Sequence, residues 1–265
     1  MTAGFGPLFK KELLDLARNR EALLPVVLVA VATLVLPFTV TVVLPAMTGH
    51  PLSADDTLLK VSAVSDVEAR LAPDARVQLF LFQQFLMLFL VMPITGAMSL
   101  AAHSIVGEKL ARTLEPLLAT PIGTIDLLVA KVLGALTPTL AISAAGLVVY
   151  FAGIALTAEP GVLHAMMSAR TFVLIAIIGP ASALVSLQGV VLISSRVNDP
   201  RTAQQFGVLI VLPLTGLLVA QFTGSLWLST SALAAIGVGL LVVWIFLTLF
   251  SVAMFEREAI LTRWR

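Results

Sequence analysis

Residues 103–131 read HSIVGEKLARTLEPLLATPIGTIDLLVAK and hold Glu108, Lys109, Arg112, Glu115, Asp126 and Lys131. Charge-free runs stand on either side, at 77–107 and 132–158. A helix of about 20 apolar residues crosses the hydrocarbon of a bilayer. A cluster of charge set between two such runs therefore needs water or a protein partner, since a charge held in hydrocarbon is expensive. The local signals specify a short stiff helix. Thr113 caps it, with Glu115 in the favourable first turn. Pro116 falls early enough that its missing N–H matters little. Thr120-Pro121 stops it, because a residue before proline avoids helical geometry. Leu114, Leu117 and Leu118 give it an apolar side, Thr124 caps the next helix and Asp126 sits near that helix's positive end. A loop that only joined two crossings would need none of this. An exposed leucine face framed by charge reads as a docking surface; a helix resting on lipid is the plainer alternative.

Composition places the whole chain in the same environment. Only 12% of its 265 residues are charged and 59% are hydrophobic, against about 25% charged in an ordinary soluble domain. A net charge of +1 gives no basic field for nucleic acid. The absence of cysteine removes disulfides, thiolate metal sites and cysteine nucleophiles. Charge-free runs cover 22–54, 77–107, 132–158, 171–195 and 202–255. The last is long enough for two crossings, with a turn signal at Gly224-Ser225. The expected fold is thus an all-α membrane protein of six transmembrane helices, a single transmembrane domain over 1–265. Its spans fall at about 23–44, 77–101, 129–156, 171–194, 206–222 and 232–255. With the N-terminus inside, twelve of the sixteen Lys and Arg fall on the inner side and four on the outer, so both termini are expected in the cytoplasm. The first run is too long, and lacks the small-residue cleavage site, for a cleaved signal peptide.

Residues 4–20 carry Phe5, Phe9, Leu13 and Leu16 at helical spacing, with Lys11, Asp15 and Arg18 on another face. They are expected to lie as an amphipathic interfacial helix in the headgroup layer. Prolines 25, 37 and 45 mark kinks in the first span. The extracytoplasmic loop 47–76 alternates acids and bases and includes a short surface helix near 57–71. It has no calcium-loop spacing, and His50 has no second ligand nearby. Gln83 and Gln84 are unusual amides in the second span; a subunit-interface hydrogen bond and a contact on a substrate path explain them equally. Lys131, early in the third span, is expected to extend its stem and carry its ammonium to the headgroups, since a central charge costs about 2.5–3.5 kcal/mol on insertion scales. In the fourth span Ser182, Ser186 and Gly189 form a small-residue face that reads first as helix packing, with a polar substrate lining, joined by Gln188, as the sharper alternative. His164 and Glu159 are too few to hold a metal.

The run GEKLARTLEPLLATPIGTIDLLVAK resembles the signature of type-2 ABC exporter permeases. In that family a Glu-Lys/Arg-Glu-x-Gly-Thr-x-Glu-x-Leu-Leu-x-Thr-Pro pattern lies between spans two and three, followed by a lysine early in span three. Glu108, Lys109, Thr113, Glu115, Leu117, Leu118, Thr120, Pro121 and Lys131 match it; Leu110, Arg112 and Pro116 depart from it. Lys11-Glu12-Leu13 with Asp15 and Arg18-Asn19-Arg20 resembles the family's entry helix. SSRVNDPRTAQQ and the tail FEREAILTRWR resemble its later parts. The resemblance implies that segment 107–121 is a short cytoplasmic coupling helix docking on a separate ABC-type ATPase. The ATPase contact would fall on Glu108, Lys109, Arg112, Thr113, Glu115, Leu117, Leu118, Thr120 and Pro121. It further implies a multi-pass protein of a prokaryotic cytoplasmic membrane, a second permease chain as homodimer or heterodimer, and ATP and Mg on the partner, with no cofactor or catalytic residue on this chain.

The sequence agrees on the energy source. It has no phosphate-binding P-loop, no His-Glu-x-x-His and no Gly-x-Ser-x-Gly. No Asp or Glu lies inside a span to relay protons, so energy is expected to enter from the cytoplasmic side. The function these readings imply is ATP-driven export by alternating access. The alternative is a scaffold that transports nothing but anchors an ATPase acting on an envelope partner.

Overall fold

The structure is a computed structural model that describes residues 5–62, 71–110, 124–194 and 228–254, with isolated positions between 197 and 220. Among the described residues every regular element is helical. Among the described residues five helices are long and apolar enough to cross a membrane: Arg20–Thr48, Pro73–Ser104, Val129–Thr157, Ala169–Ser194 and Thr230–Val252. They are called here the first to fourth and the last membrane helices. The expected span at 206–222 lies mostly outside the described residues. An entry helix, Phe5–Arg18, precedes them.

Local chemistry sets the ends. Asn19 breaks the entry helix from the first membrane helix, and its Oδ1 accepts the N–H of Ala22 at 3.1 Å, an N-cap that satisfies an otherwise orphaned donor. The first membrane helix stops at Gly49, whose φ of 70° is the left-handed geometry of a helix end. Asp55 Oδ1 accepts the N–H groups of Thr57 and Leu58, starting the outer helix Asp56–Ser62; the rest of the surface helix expected near 57–71 falls partly on 63–70, outside the described residues. Ser168 caps the fourth membrane helix by accepting from Thr171.

Prolines distort three helices without ending them. The first passes through a wide turn at Thr39–Val43, directly before Leu44-Pro45. The second is interrupted at Leu90, between Phe89 and Val91, three residues before Pro93. The fourth has a wide turn at Leu174–Ile178, directly before Gly179-Pro180. A proline ring clashes with the carbonyl four residues back and offers it no N–H, and a wide turn relieves that clash while keeping the chain helical.

The second and fourth membrane helices are the most buried, while the first, third and last expose most of their surface. The half of the core toward Gly49 and Glu159, expected from the charge bias to be the outer half, gathers around Tyr150, which is fully buried. Its ring lies 5.8 Å from Phe38, 6.0 Å from Phe82, 5.9 Å from Phe151 and 6.2 Å from Phe89. Its hydroxyl donates to the carbonyl of Phe82 at 2.7 Å. Gln78 adds a buried polar tie at the same end of the bundle: its Nε2 donates to the carbonyl of Thr41 at 3.4 Å, and its Oε1 accepts the N–H of Glu159 at 2.7 Å. One amide thereby joins the outer ends of the first three membrane helices, and Asp74 Oδ1 holds the N–H of Ser53 beside it at 2.8 Å.

Candidate functional site: a buried ion pair beside the polar insert

The inner half is organised by charge. Lys131 does not reach for the headgroups. It is 5% exposed, and its Nζ donates to Glu12 Oε1 at 3.1 Å and to the carbonyl and the Oγ of Ser104, each at 3.3 Å. Ser104 Oγ in turn donates to Glu12 Oε2 at 2.8 Å. The three ammonium protons thus have three acceptors, and each carboxylate oxygen has a donor. Snorkelling is the solution for a charge that has only lipid around it; here an acid from the entry helix and a serine from the second membrane helix complete the site from two sides. A buried pair this fully hydrogen-bonded offsets its own desolvation, and one missing partner would leave a bare charge behind.

Glu12 is 3% exposed and lies between buried Leu8 and Leu16 on one line of the entry helix. The buried line is therefore Leu8-Glu12-Leu16, flanked by half-buried Phe9 and Leu13, and not the Phe9-Leu13-Leu16 stripe read from hydrophobicity alone. Lys10, Lys11, Leu14, Asp15 and Arg18 stay exposed, with Lys11 and Asp15 3.8 Å apart. The helix seats closely because Gly134 faces it: a Cβ there would come within 2.8 Å of Glu12 Cβ. Gly134→Leu is expected to push the entry helix away and destabilise the protein by about 1–3 kcal/mol, the range for overpacking a close contact. Limited proteolysis of the first twenty residues, faster in the variant than in wild type, would report the displacement.

The placement of this cluster gives it meaning. Ser104 lies near the end of the helix Val91–Leu110, which leads into the polar insert. Lys131 lies near the start of the helix Thr124–Thr157, which leads out of it. Nearby, Ser99 Oγ donates to the carbonyl of Ala22 at 2.7 Å, fastening the second membrane helix to the start of the first. Glu108 and Lys109 continue the helix beyond Ser104, with Glu108 one helical turn on. Arg112, Thr113, Glu115, Leu117, Leu118, Thr120 and Pro121 lie outside the described residues.

The family profile described as ABC-2 family transporter protein matches residues 7–260. The chain belongs to this family. Neither the curated proteins nor the solved structures contain a match to it. An ABC-2 protein with several membrane-crossing helices is an integral membrane permease, and permeases of this family normally work with an ABC ATPase subunit. Among the described residues no group of three His, Asp or Glu side chains is placed to hold a metal ion.

The intramembrane polar residues of this ABC-2 chain do not form one cluster. Gln83 and Gln84 are both buried, Gln84 completely, within the second membrane helix. Ser182 Oγ donates to the carbonyl of Gly179 at 2.9 Å and Ser186 Oγ to that of Ser182 at 2.7 Å, so both hydroxyls are engaged on their own helix. Gln188 Nε2 donates to Ser251 Oγ at 2.6 Å, tying the fourth membrane helix to the last. After the fourth membrane helix, Asp199 Oδ2 accepts both the N–H and the hydroxyl of Thr202 at 2.9 Å, which holds its carboxyl below the usual carboxylate range. Sequence reading missed Glu12 and Ser104 as partners of Lys131. The available signal was an acid in the middle of an apolar stripe together with a lysine in a charge-poor span, two charges that each need the other.

Proposed function

We propose that this chain is the permease subunit of an ATP-driven exporter. In this reading it crosses the membrane six times with both termini inside, and a separate ATPase carrying ATP and Mg docks on the segment 107–121. A second permease chain completes the path. The observation that carries the proposal is the Glu12–Ser104–Lys131 cluster. It fastens together the entry helix and the two helices that enter and leave the polar insert. A push on the insert is thereby delivered to three helices as one body, and the spans rock between two access states. The entry helix rests in the headgroup layer with Lys10, Lys11 and Arg18 outward, where anionic lipid favours them. Gln84 is completely buried and both polar atoms of its amide lack a partner among the described residues, so Gln83 and Gln84 are assigned to the contact with the second chain, along whose surface the path runs.

Glu108→Lys and Glu115→Lys test the docking assignment. Each reversal removes one attractive contact at the ATPase surface and adds a repulsive one, and loss of about 1.4 kcal/mol weakens docking about tenfold. Copurification of the ATPase and transport-linked hydrolysis should both fall, with membrane insertion unchanged. Full transport and docking in both variants, or labelling of residues 107–121 from the outer side of intact cells, would overturn the proposal.

A further inference from the structure

Beyond Phe38 the first membrane helix changes character. Phe38 pins the helix to its neighbours: its ring lies 5.6 Å from Phe82 and 5.8 Å from Tyr150. It fills the notch left by Gly153, where a Cβ would collide with the ring. Directly after this pin comes the wide turn Thr39–Val43, followed by Pro45. The carbonyl of Thr41 would ordinarily accept the N–H four residues on, which Pro45 lacks. Gln78 Nε2 donates there instead, at 3.4 Å. The N–H of Glu159, 2.7 Å from Gln78 Oε1, holds the amide in that orientation. Thr41 is the only buried residue from 39 to 49, so a long, weak hydrogen bond fastens this piece of the helix.

Segment 39–62 then lies along the second membrane helix. Leu52, Leu58 and Leu59 pack against the cluster of Val77, Phe80 and Leu81, and the N–H of Ser53 bonds to half-buried Asp74. The face it covers is not wholly apolar. Val77, Leu81, Gln84 and Leu88 have the spacing of one helix face, all within the helix Pro73–Phe89. Gln84 is 0% exposed, and neither its Oε1 nor its Nε2 has a hydrogen-bond partner among the described residues. An amide sealed in without a partner is costly, and a state that uncovers it recovers that cost. Wide turns inside α-helices occur frequently at functional sites. A pivot, a weak fastening and a penalty on the covered face thus stand together.

We propose that 39–62 is a hinged strap, pivoting at Thr39–Val43 and latched by Gln78, whose lifting uncovers Gln84. It rests on the permease reading only in its outcome, that the uncovered Gln84 meets the second chain; the motion itself requires no ATPase. The test uses the purified full chain in lipid nanodiscs. The chain has no cysteine, so Met47→Cys on the strap and Met167→Cys before the fourth membrane helix, 80% and 66% exposed in wild type, take one nitroxide each. Excess unlabelled chain removes distances between molecules. Pulsed electron spin resonance then reads the populations of seated and lifted strap. Gln78→Met keeps an unbranched side chain and loses the latch. It should raise the ratio of lifted to seated strap about fivefold, the worth of one hydrogen bond. Adding Gln84→Leu should reverse that rise, because the covered face then holds no orphaned amide. Tyr150→Phe loses a buried hydrogen bond in the same half of the core and should leave the ratio at its wild-type value, which a general loosening would not. Should Gln78→Met not fold, Asp74→Ala, which frees Ser53, takes its place with the same expectations. An unchanged ratio in the latch variant, or a rise that Gln84→Leu leaves intact, would overturn the strap. Because no ATPase is present, failure of the docking assignment leaves this result untouched.

Discussion

Glu12→Leu is expected to destabilise the protein by about 3–5 kcal/mol, the cost of removing one member of a buried ion pair. Lys131→Met should do the same from the other side. The double variant Glu12→Leu/Lys131→Met should return to within about 1–2 kcal/mol of wild type, because an apolar pair of similar volume desolvates no charge. The sign of this cycle separates two roles for the cluster. If the pair only rested at the surface, each single change would be worth no more than about 1 kcal/mol and the two would add. The observed burial, 5% for one side chain and 4% for the other, argues for the strongly coupled case. Lys131 has one escape in the single variant: its stem can extend toward the headgroups. In the native fold Lys131 is buried where the entry helix seats on the third membrane helix, so that extension is expected to go with a lift of the entry helix. The fluorescence of a dye at residue 10, read against a quencher attached to lipid headgroups, follows that lift directly. The double variant supplies a functional test as well. It restores the fold without restoring the charge, so ATPase-linked transport that recovers along with stability would mean that the cluster transmits force as a mechanical joint. Two additive single effects would end the claim that the three helices move as one body.

The joint was hard to read from sequence because its parts are far apart along the chain. Lys131 and Glu12 are separated by 119 positions, and hydrophobic periodicity ranks an acid as surface whatever stands across from it. Membrane helices, by contrast, are local facts. A charge-free run of sufficient length must satisfy its own backbone in lipid and so becomes a helix, and the four runs beginning at 22, 77, 132 and 171 each overlap one of the five long helices among the described residues. The ends of these helices extend a few residues beyond the apolar runs, as at Arg20 and Pro73, because caps and headgroup-level side chains prolong a helix after hydrophobicity stops. The prolines were legible as kinks, but not the manner of the distortion: a wide turn before Pro180 and a break at Leu90 depend on which neighbours accept the bend. Ser143 shows the converse. It looks like any small residue in an apolar run, yet its buried hydroxyl has no hydrogen-bond partner among the described residues.

Tyr150→Ala is expected to be the most damaging single truncation in the outer half. In water-soluble proteins a large aromatic cut to alanine costs about 3–5 kcal/mol, part from transfer out of water and part from the cavity left behind. In a bilayer the transfer part shrinks, since lipid is itself apolar and helices associate through packing and hydrogen bonds. The packing part here is large: four aromatic rings surround Tyr150, and its hydroxyl holds the Phe82 carbonyl at 2.7 Å. About 3 kcal/mol is therefore expected, a fall of roughly 6–12 °C in the midpoint of thermal unfolding for a chain of this size. Tyr150→Phe keeps the rings and loses only the hydroxyl, at about 0.5–1.5 kcal/mol. The two variants together separate ring packing from the hydrogen bond. Tyr150 is the sole tyrosine among the 265 residues, beside three tryptophans, so the near-ultraviolet difference between wild type and Tyr150→Phe reports this one site. Near-equal midpoints for Tyr150→Ala and Tyr150→Phe would place the stabilisation in the hydroxyl, and an unchanged midpoint for Tyr150→Ala would show that the outer ends of the first three membrane helices are held by Gln78 and the loop contacts instead.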